Sequence, residues 1–183
     1  MTFIHRGIRD GILHNYDKLL VRFLNVPFFL GKPLTEANVL TAVKKLKLGT
    51  SDNFVDLPTT TISSEVIVKT LGLCMGTTYA AVVLPLHHHL DLQKVGELCG
   101  IPSSDIHLVS PTELVDIFGY EPGCLGPVGL RQGSPLPVFM DKSLFEFSTL
   151  YCGAGATGRV FSVEPNRLHS VLGSTSTAFL CIS

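Results

Sequence analysis

Charge is scarce in this chain. Asp, Glu, Lys and Arg make up 16% of its 183 residues, and 14 basic against 15 acidic side chains leave a formal charge of −1. A surface built to grip nucleic acid along its whole length is thereby excluded, so any RNA contact must be local, at the mouth of a pocket. Paired cysteines are missing too. Cys74, Cys99, Cys124, Cys152 and Cys181 are odd in number and irregularly spaced, with no CxxC pair; this argues against a disulfide framework and suits a reducing, cytoplasmic setting. No apolar run approaches the roughly 18 residues of a membrane span. The first residues carry Arg6, Arg9, Lys18 and Arg22 among apolar ones, but lack the hydrophobic region and small-residue cleavage site of a secretory signal. Asp10, Asp17 and a shortage of serine set an organelle-targeting peptide aside. Residues 1–33 read as an N-terminal extension, an amphipathic helix packed on the domain, and 34–183 as the domain itself.

What is present is apolar residues, 45% of the chain, enough to exclude intrinsic disorder and to fill the core of one domain. Thr35 opens a helical pattern in which Val39, Leu40, Val43 and Leu46 recur on one face before Gly49. A short strand is expected over Asn53 to Asp56, then a hydroxyl-rich loop, LPTTTISS. The β-branched run from Val66 to Leu71 and the apolar run from Tyr79 to Leu84 flank Met75-Gly76-Thr77-Thr78 and predict a central hairpin. Asp91 starts a helix that Gly100 and Pro102 end. Ile106 to Val109 is a strand, and Ser110-Pro111-Thr112-Glu113 a helix start with proline in its first position.

Four glycines and two prolines between Gly119 and Leu130 preclude a regular element and suit close approach of backbone to another group. A strand is expected over Leu136 to Met140, a second small-residue loop over Gly153 to Arg159, a strand over Val160 to Val163, and a closing turn over EPNRLHSVLG. Strands joined by tight turns as well as by helices favour an α+β single domain, with a curved mixed β-sheet flanked by helices, over a doubly wound parallel one.

Six segments in order, IVKTL from Ile67, VVLPLHHHLDLQKVGEL from Val82, SPTEL from Ser110, GYEPGCLGPVGL from Gly119, PVFMDKSL from Pro137 and GAGATGRVFSVEPNRL from Gly153, resemble the YbaK/prolyl-tRNA-synthetase-associated domain. That resemblance covers Val66 to Leu172. It implies a trans-editing hydrolase that cleaves the ester joining a wrong amino acid to the terminal adenosine of a tRNA, most often a tRNA for proline carrying Cys, Ala or a similar small residue. Such editing is the second sieve required where binding alone cannot reject a near-isostere. The implied partners are the aminoacyl-tRNA 3′ end and an aminoacyl-tRNA synthetase, with no membrane and no cofactor. The alternative is a non-catalytic accessory module of the same fold that binds a synthetase or tRNA.

The family lysine falls on Lys69, a compact positive charge for a phosphate or the ester carbonyl. Taken alone, an edge-strand lysine is more often a solvated one. Gly126 and Pro127 are the expected catalytic residues of the first glycine loop, whose backbone N–H groups would hold an oxyanion or the carboxyl end while Pro127 stiffens it, and Gly123, Cys124, Leu125, Val128 and Gly129 are its expected substrate-binding residues. Gly153, Gly155 and Gly158 of the second loop are expected to form the opposite wall. No GxSxG elbow is present, and no cysteine stands beside a base in sequence. Water or a substrate group, positioned on an already activated ester, is the expected nucleophile, and Cys124 is read as a small pocket-lining residue. The His87-His88-His89 triplet lacks companion ligands at metal spacing and is read as a polar connection. The chain departs from the family pattern where LPTTTISSE is too short for the usual helix before IVKTL, and where no histidine stands near Val160.

Overall fold

The computed structural model describes residues 32–59, 61–130 and 136–172 and the backbone of 178–179; the helical extension expected over residues 1–33 lies outside them save for Lys32 and Pro33, which are not helical. The expected α+β domain, with a mixed sheet and flanking helices, is what the chain forms. Its strands divide between a five-stranded mixed sheet, in the order Ile106–Leu108, Val68–Met75, Thr78–Pro85, Val138–Asp141, Ala178–Phe179, and a three-stranded antiparallel sheet, in the order Phe54–Asp56, Arg159–Val163, Leu150–Gly153.

Helix α1 (Glu36–Lys45) starts where Thr35 predicts. The Asn38 carboxamide oxygen reaches back to accept from the Thr35 N–H at 2.9 Å and its hydroxyl at 3.0 Å, and Val39 and Val43 are fully buried on its inner face. Strand β1 (Phe54–Asp56) pairs antiparallel with β7 (Arg159–Val163), which pairs in turn with β6 (Leu150–Gly153). Phe54 stacks on Phe161 across that ladder at 5.8 Å.

The central hairpin is β2 (Val68–Met75) and β3 (Thr78–Pro85), joined at Gly76 with φ 64°. On one side β2 pairs with β4 (Ile106–Leu108), but over Leu73 to Met75 alone. On the other, β3 runs parallel to β5 (Val138–Asp141), and β5 to β8 (Ala178–Phe179). Alternation along the hairpin sorts its side chains between two cores. Leu73, Met75, Ala80, Val82 and Leu84 face helix α2 (Leu92–Cys99) and its buried Val95. Val68, Ala81 and Val83 face the larger core shared with α1, β6 and β7. Full burial of one such Val or Leu is worth about 1.5–3 kcal/mol.

Asp91 caps α2 by accepting from the Gln93 and Lys94 amides, and Gly100 closes it in the left-handed conformation. The short helix α3 (Pro111–Glu113) widens into a π turn over Leu114–Phe118. Lys142–Glu146 is a 3₁₀ turn. The EPNRLHSVLG segment, expected as a turn, is instead a two-turn helix, α4 (Pro165–Leu172), with proline at its first position and Leu168 fully buried. Proline fits there because that position has no intrahelical acceptor for its missing N–H. Strand β6, for which the sequence carried no expectation, bridges to Ile67 through Tyr151 in parallel fashion and so ties the two sheets together.

Candidate functional site

Because β4 covers only one end of β2, the Val68 to Gly72 half of that strand presents an edge. The Gly72 carbonyl on this edge accepts from the Val109 amide at 3.0 Å, and ladder alternation turns the Thr70 N–H and C=O to the same side. Against this edge lies a cavity of about 440 Å³. Its second wall is Pro122, Gly123 and Leu125 from the loop after the π turn; its third is Gly153, Ala156 and Gly158 to Val160. Leu57, Leu86 and Leu108 stand at its margin, with Leu86 and Leu108 well exposed.

Five of the residues singled out from the sequence therefore meet at one cavity: Lys69, Gly123, Leu125, Gly153 and Gly158. Lys69 and Arg159 supply its positive charge. Arg159 is committed, since its Nε lies 3.0 Å from Glu36 and its Nη1 3.0 Å from Asp56. The Glu36 hydrogen bond, and then the two carboxylate charges, hold its guanidinium more firmly protonated than usual. Lys69 is half-buried, opposite Leu84 in the ladder, and makes no ion pair among the described residues. Of the lining side chains Thr70 alone carries a hydroxyl, and neither cysteine nor histidine is among them. The Thr70 Oγ1 is buried without a hydrogen-bond partner.

The other predicted positions stand behind the wall and do not line it. The α-carbon of Gly126 presses on the second loop so closely that a Cβ there would lie 2.1 Å from the Gly153 carbonyl oxygen, and a Cβ on Gly153 2.7 Å from that of Leu125. The two glycine loops thus touch backbone to backbone, which only glycine permits. Pro127 and Val128 are buried, and the Val128 carbonyl accepts from the buried Tyr120 hydroxyl at 2.5 Å; burial pushes the Tyr120 pKa up. Gly129 and Gly155 pack on α1, beside Val39. The Cys124 thiol is buried 3.6 Å from the Thr157 hydroxyl. These residues shape the cavity by holding its loops.

Thr70, Gly72, Leu86, Leu108 and Arg159 were not foreseen at the cavity. Gly72 had a legible signal, a glycine inside a strand: a Cβ there would meet Val109 at 2.7 Å and the Phe118 ring at 3.0 Å. The histidine triplet lies elsewhere, with His88 Nδ1 3.9 Å from Asp141.

The fold and this cavity define an α+β domain in which two glycine loops close on a lysine-bearing strand. The profile of the aminoacyl-tRNA editing domain matches residues 55–170, and the chain belongs to that family. It is 30% identical over 132 residues to the proline–tRNA ligase of Azoarcus sp. (strain BH72), across 72% of this chain and 19% of that one. With the proline–tRNA ligase of Bordetella parapertussis identity is 29% over 106 residues, 49% of this chain and 18% of the relative. The chain thus spans about a fifth of the length of the curated relatives it matches. Among solved structures, a candidate trans-editing enzyme for prolyl tRNA synthetase superposes with a TM-score of 0.69 at 21% identity, covering 81% of this chain and 96% of the other.

Proposed function

We propose that this chain hydrolyses the ester of mischarged aminoacyl-tRNA in trans, with a tRNA for proline carrying cysteine, alanine or a similar small amino acid as substrate. The observation that carries it is the convergence of Lys69, Gly123, Leu125, Gly153 and Gly158, far apart in sequence, on one cavity of about 440 Å³. That volume admits an aminoacyl group with part of its ribose and leaves the tRNA body outside. Lys69 meets the terminal phosphate or the ester carbonyl as a charge not already neutralised by a carboxylate. Backbone groups of the Gly123–Leu125 and Gly153–Gly158 segments, free of bulky side chains, approach the aminoacyl end.

The lining residues supply no nucleophile paired with a base. Attack therefore falls to water or to a group of the substrate, a cysteinyl thiol for example, and the protein contributes positioning and electrostatic stabilisation. Cys74, Cys124 and Cys152 form no disulfide among the described residues, as a reducing cytosol would leave them. The test is release of amino acid from tRNA for proline charged separately with cysteine, alanine, serine and proline. Selective release of one wrong amino acid, with prolyl-tRNA spared, is expected. Release of none, together with tight binding of a synthetase or uncharged tRNA, would mark an accessory module instead.

A further inference from the structure

The hairpin and its neighbour carry a second constellation, separate from the editing cavity and independent of the proposed activity. Register places His107 of β4 directly opposite Cys74 of β2, and Tyr79 of β3 opposite Cys74 from the other side. Glu113 of α3 closes over this row. One nitrogen of His107, the Cys74 sulfur and a Glu113 carboxylate oxygen all lie within 4.8 Å of one another.

We propose that Cys74, His107 and Glu113 form a binding site for a divalent transition metal ion of borderline softness, Zn²⁺ being the natural occupant. The donor set is one thiolate, one imidazole and one carboxylate, the ligand types that zinc combines in tetrahedral sites. Ligand bonds of about 2.0–2.3 Å put tetrahedral donors some 3.3–3.8 Å apart, so closing on an ion asks for side-chain shifts of about an ångström at most. Charge balances as well: a thiolate and a carboxylate together neutralise a divalent ion, which removes the main penalty of placing that ion beside a buried strand. Binding breaks the Cys74 S–H bond, forms a sulfur–metal bond and releases the proton to water.

The carboxylate is already oriented. Glu113 Oε2 accepts from the Ser110 amide and hydroxyl, both at 2.8 Å, and Oε1 accepts from the Tyr79 hydroxyl at 3.2 Å. Oε1, which accepts one hydrogen bond, keeps a lone pair for a metal while Oε2 holds the carboxylate in place, and outer partners of this kind fix ligands in metal sites. His107 is exposed and Cys74 buried, so an ion enters from the solvent side and keeps water as its fourth ligand. Leu108, Val109 and Pro111, between the outer two ligands, line the editing cavity, so the bound ion staples one of its walls.

The test is a Co²⁺ titration of the full-length protein, followed by thiolate-to-cobalt charge transfer in the near ultraviolet and ligand-field bands in the visible. A thiolate band saturating at one ion per chain is expected, with Zn²⁺ displacing Co²⁺. The band should vanish in Cys74→Ser, persist in Cys99→Ser, Cys124→Ser and Cys152→Ser, and shift to at least about tenfold higher Co²⁺ concentration in Tyr79→Phe. His107→Ala, at an exposed position, keeps the fold and provides a second variant; its band should be lost or require far more metal. No thiolate band in the wild type, or one that survives Cys74→Ser or is unmoved by His107→Ala, overturns the site.

Discussion

Lys69 lines the cavity, Gly126 stands behind its wall, and the two respond to substitution in opposite ways. Lys69 has no ion-pair partner among the described residues, so truncating it leaves no buried charge uncompensated. Lys69→Ala is expected to change stability by less than about 0.5 kcal/mol while lowering deacylation by about 10²–10³, the scale on which a single electrostatic contact to a developing oxyanion acts. Denaturant unfolding beside a deacylation assay separates the two effects. Gly126→Ala is the converse. Its Cβ would stand 2.1 Å from the Gly153 carbonyl oxygen, so one loop must move, at a cost of about 1–3 kcal/mol. Thermal denaturation should show a lowered Tm, with activity falling because the loop shifts, although Gly126 does not itself line the cavity. Lys69 was legible from the sequence because the resemblance set the family lysine there; its strand context alone pointed to a solvated side chain. The supporting place of Gly126, Pro127 and Gly129 was not, since nothing in a glycine's identity tells whether it faces a ligand or another stretch of backbone.

Among the elements, the start of α3 makes a pH-dependent prediction. The Glu113 carboxylate accepts from the Ser110 backbone amide and hydroxyl, and these bonds, ahead of Tyr79 and His107, hold its pKa below the ordinary 4.5. A carboxylate whose folded pKa is depressed adds stability that is fully present above its unfolded pKa and disappears as pH falls through the folded one. Wild type should therefore lose stability on acidification below about pH 4.5 more steeply than Glu113→Gln, measured by urea unfolding across that range; equal slopes would contradict the assignment. Caps of this kind explain why α1, α2 and α3 could be placed in the sequence: Thr35, Asp91 and Ser110 act locally, within three residues of the groups they satisfy. Strand β6 escaped because Leu150 to Gly153 has no periodic pattern of its own and is specified by pairing with β7. Helix α4, expected as a closing turn, begins on Pro165, which fits the first helical position where no N–H is needed. The Cys74, His107 and Glu113 constellation is invisible at the level of motifs, since register across separate elements brings the three together.

At the scale of the molecule, a charge of −1 and one uncommitted cation among the lining residues leave little to hold a polyanion. Each phosphate neutralised on a single strand changes the slope of log K against log salt by about 0.7. The slope for aminoacyl-tRNA should correspond to no more than about two phosphates, and a filter-binding titration between low and moderate salt measures it. A much steeper dependence would show a basic surface in use beyond the described residues. Composition argues for this local mode of binding, and the order of strands and turns foretold the α+β architecture. The meeting of three distant segments at one cavity followed only from the tertiary fold, which sets Leu125 and Gly126 against Gly153 and both loops against the free edge of β2.

The most direct test of the account is deacylation of tRNA for proline charged with cysteine or alanine, by wild type and by Lys69→Ala at equal concentration, with folding checked by circular dichroism. Hydrolysis of one mischarged species by wild type, its loss in a folded Lys69→Ala variant, and intact prolyl-tRNA in both are the predicted result. Undiminished hydrolysis by the variant would remove Lys69 and its cavity from the reaction and contradict the central claim.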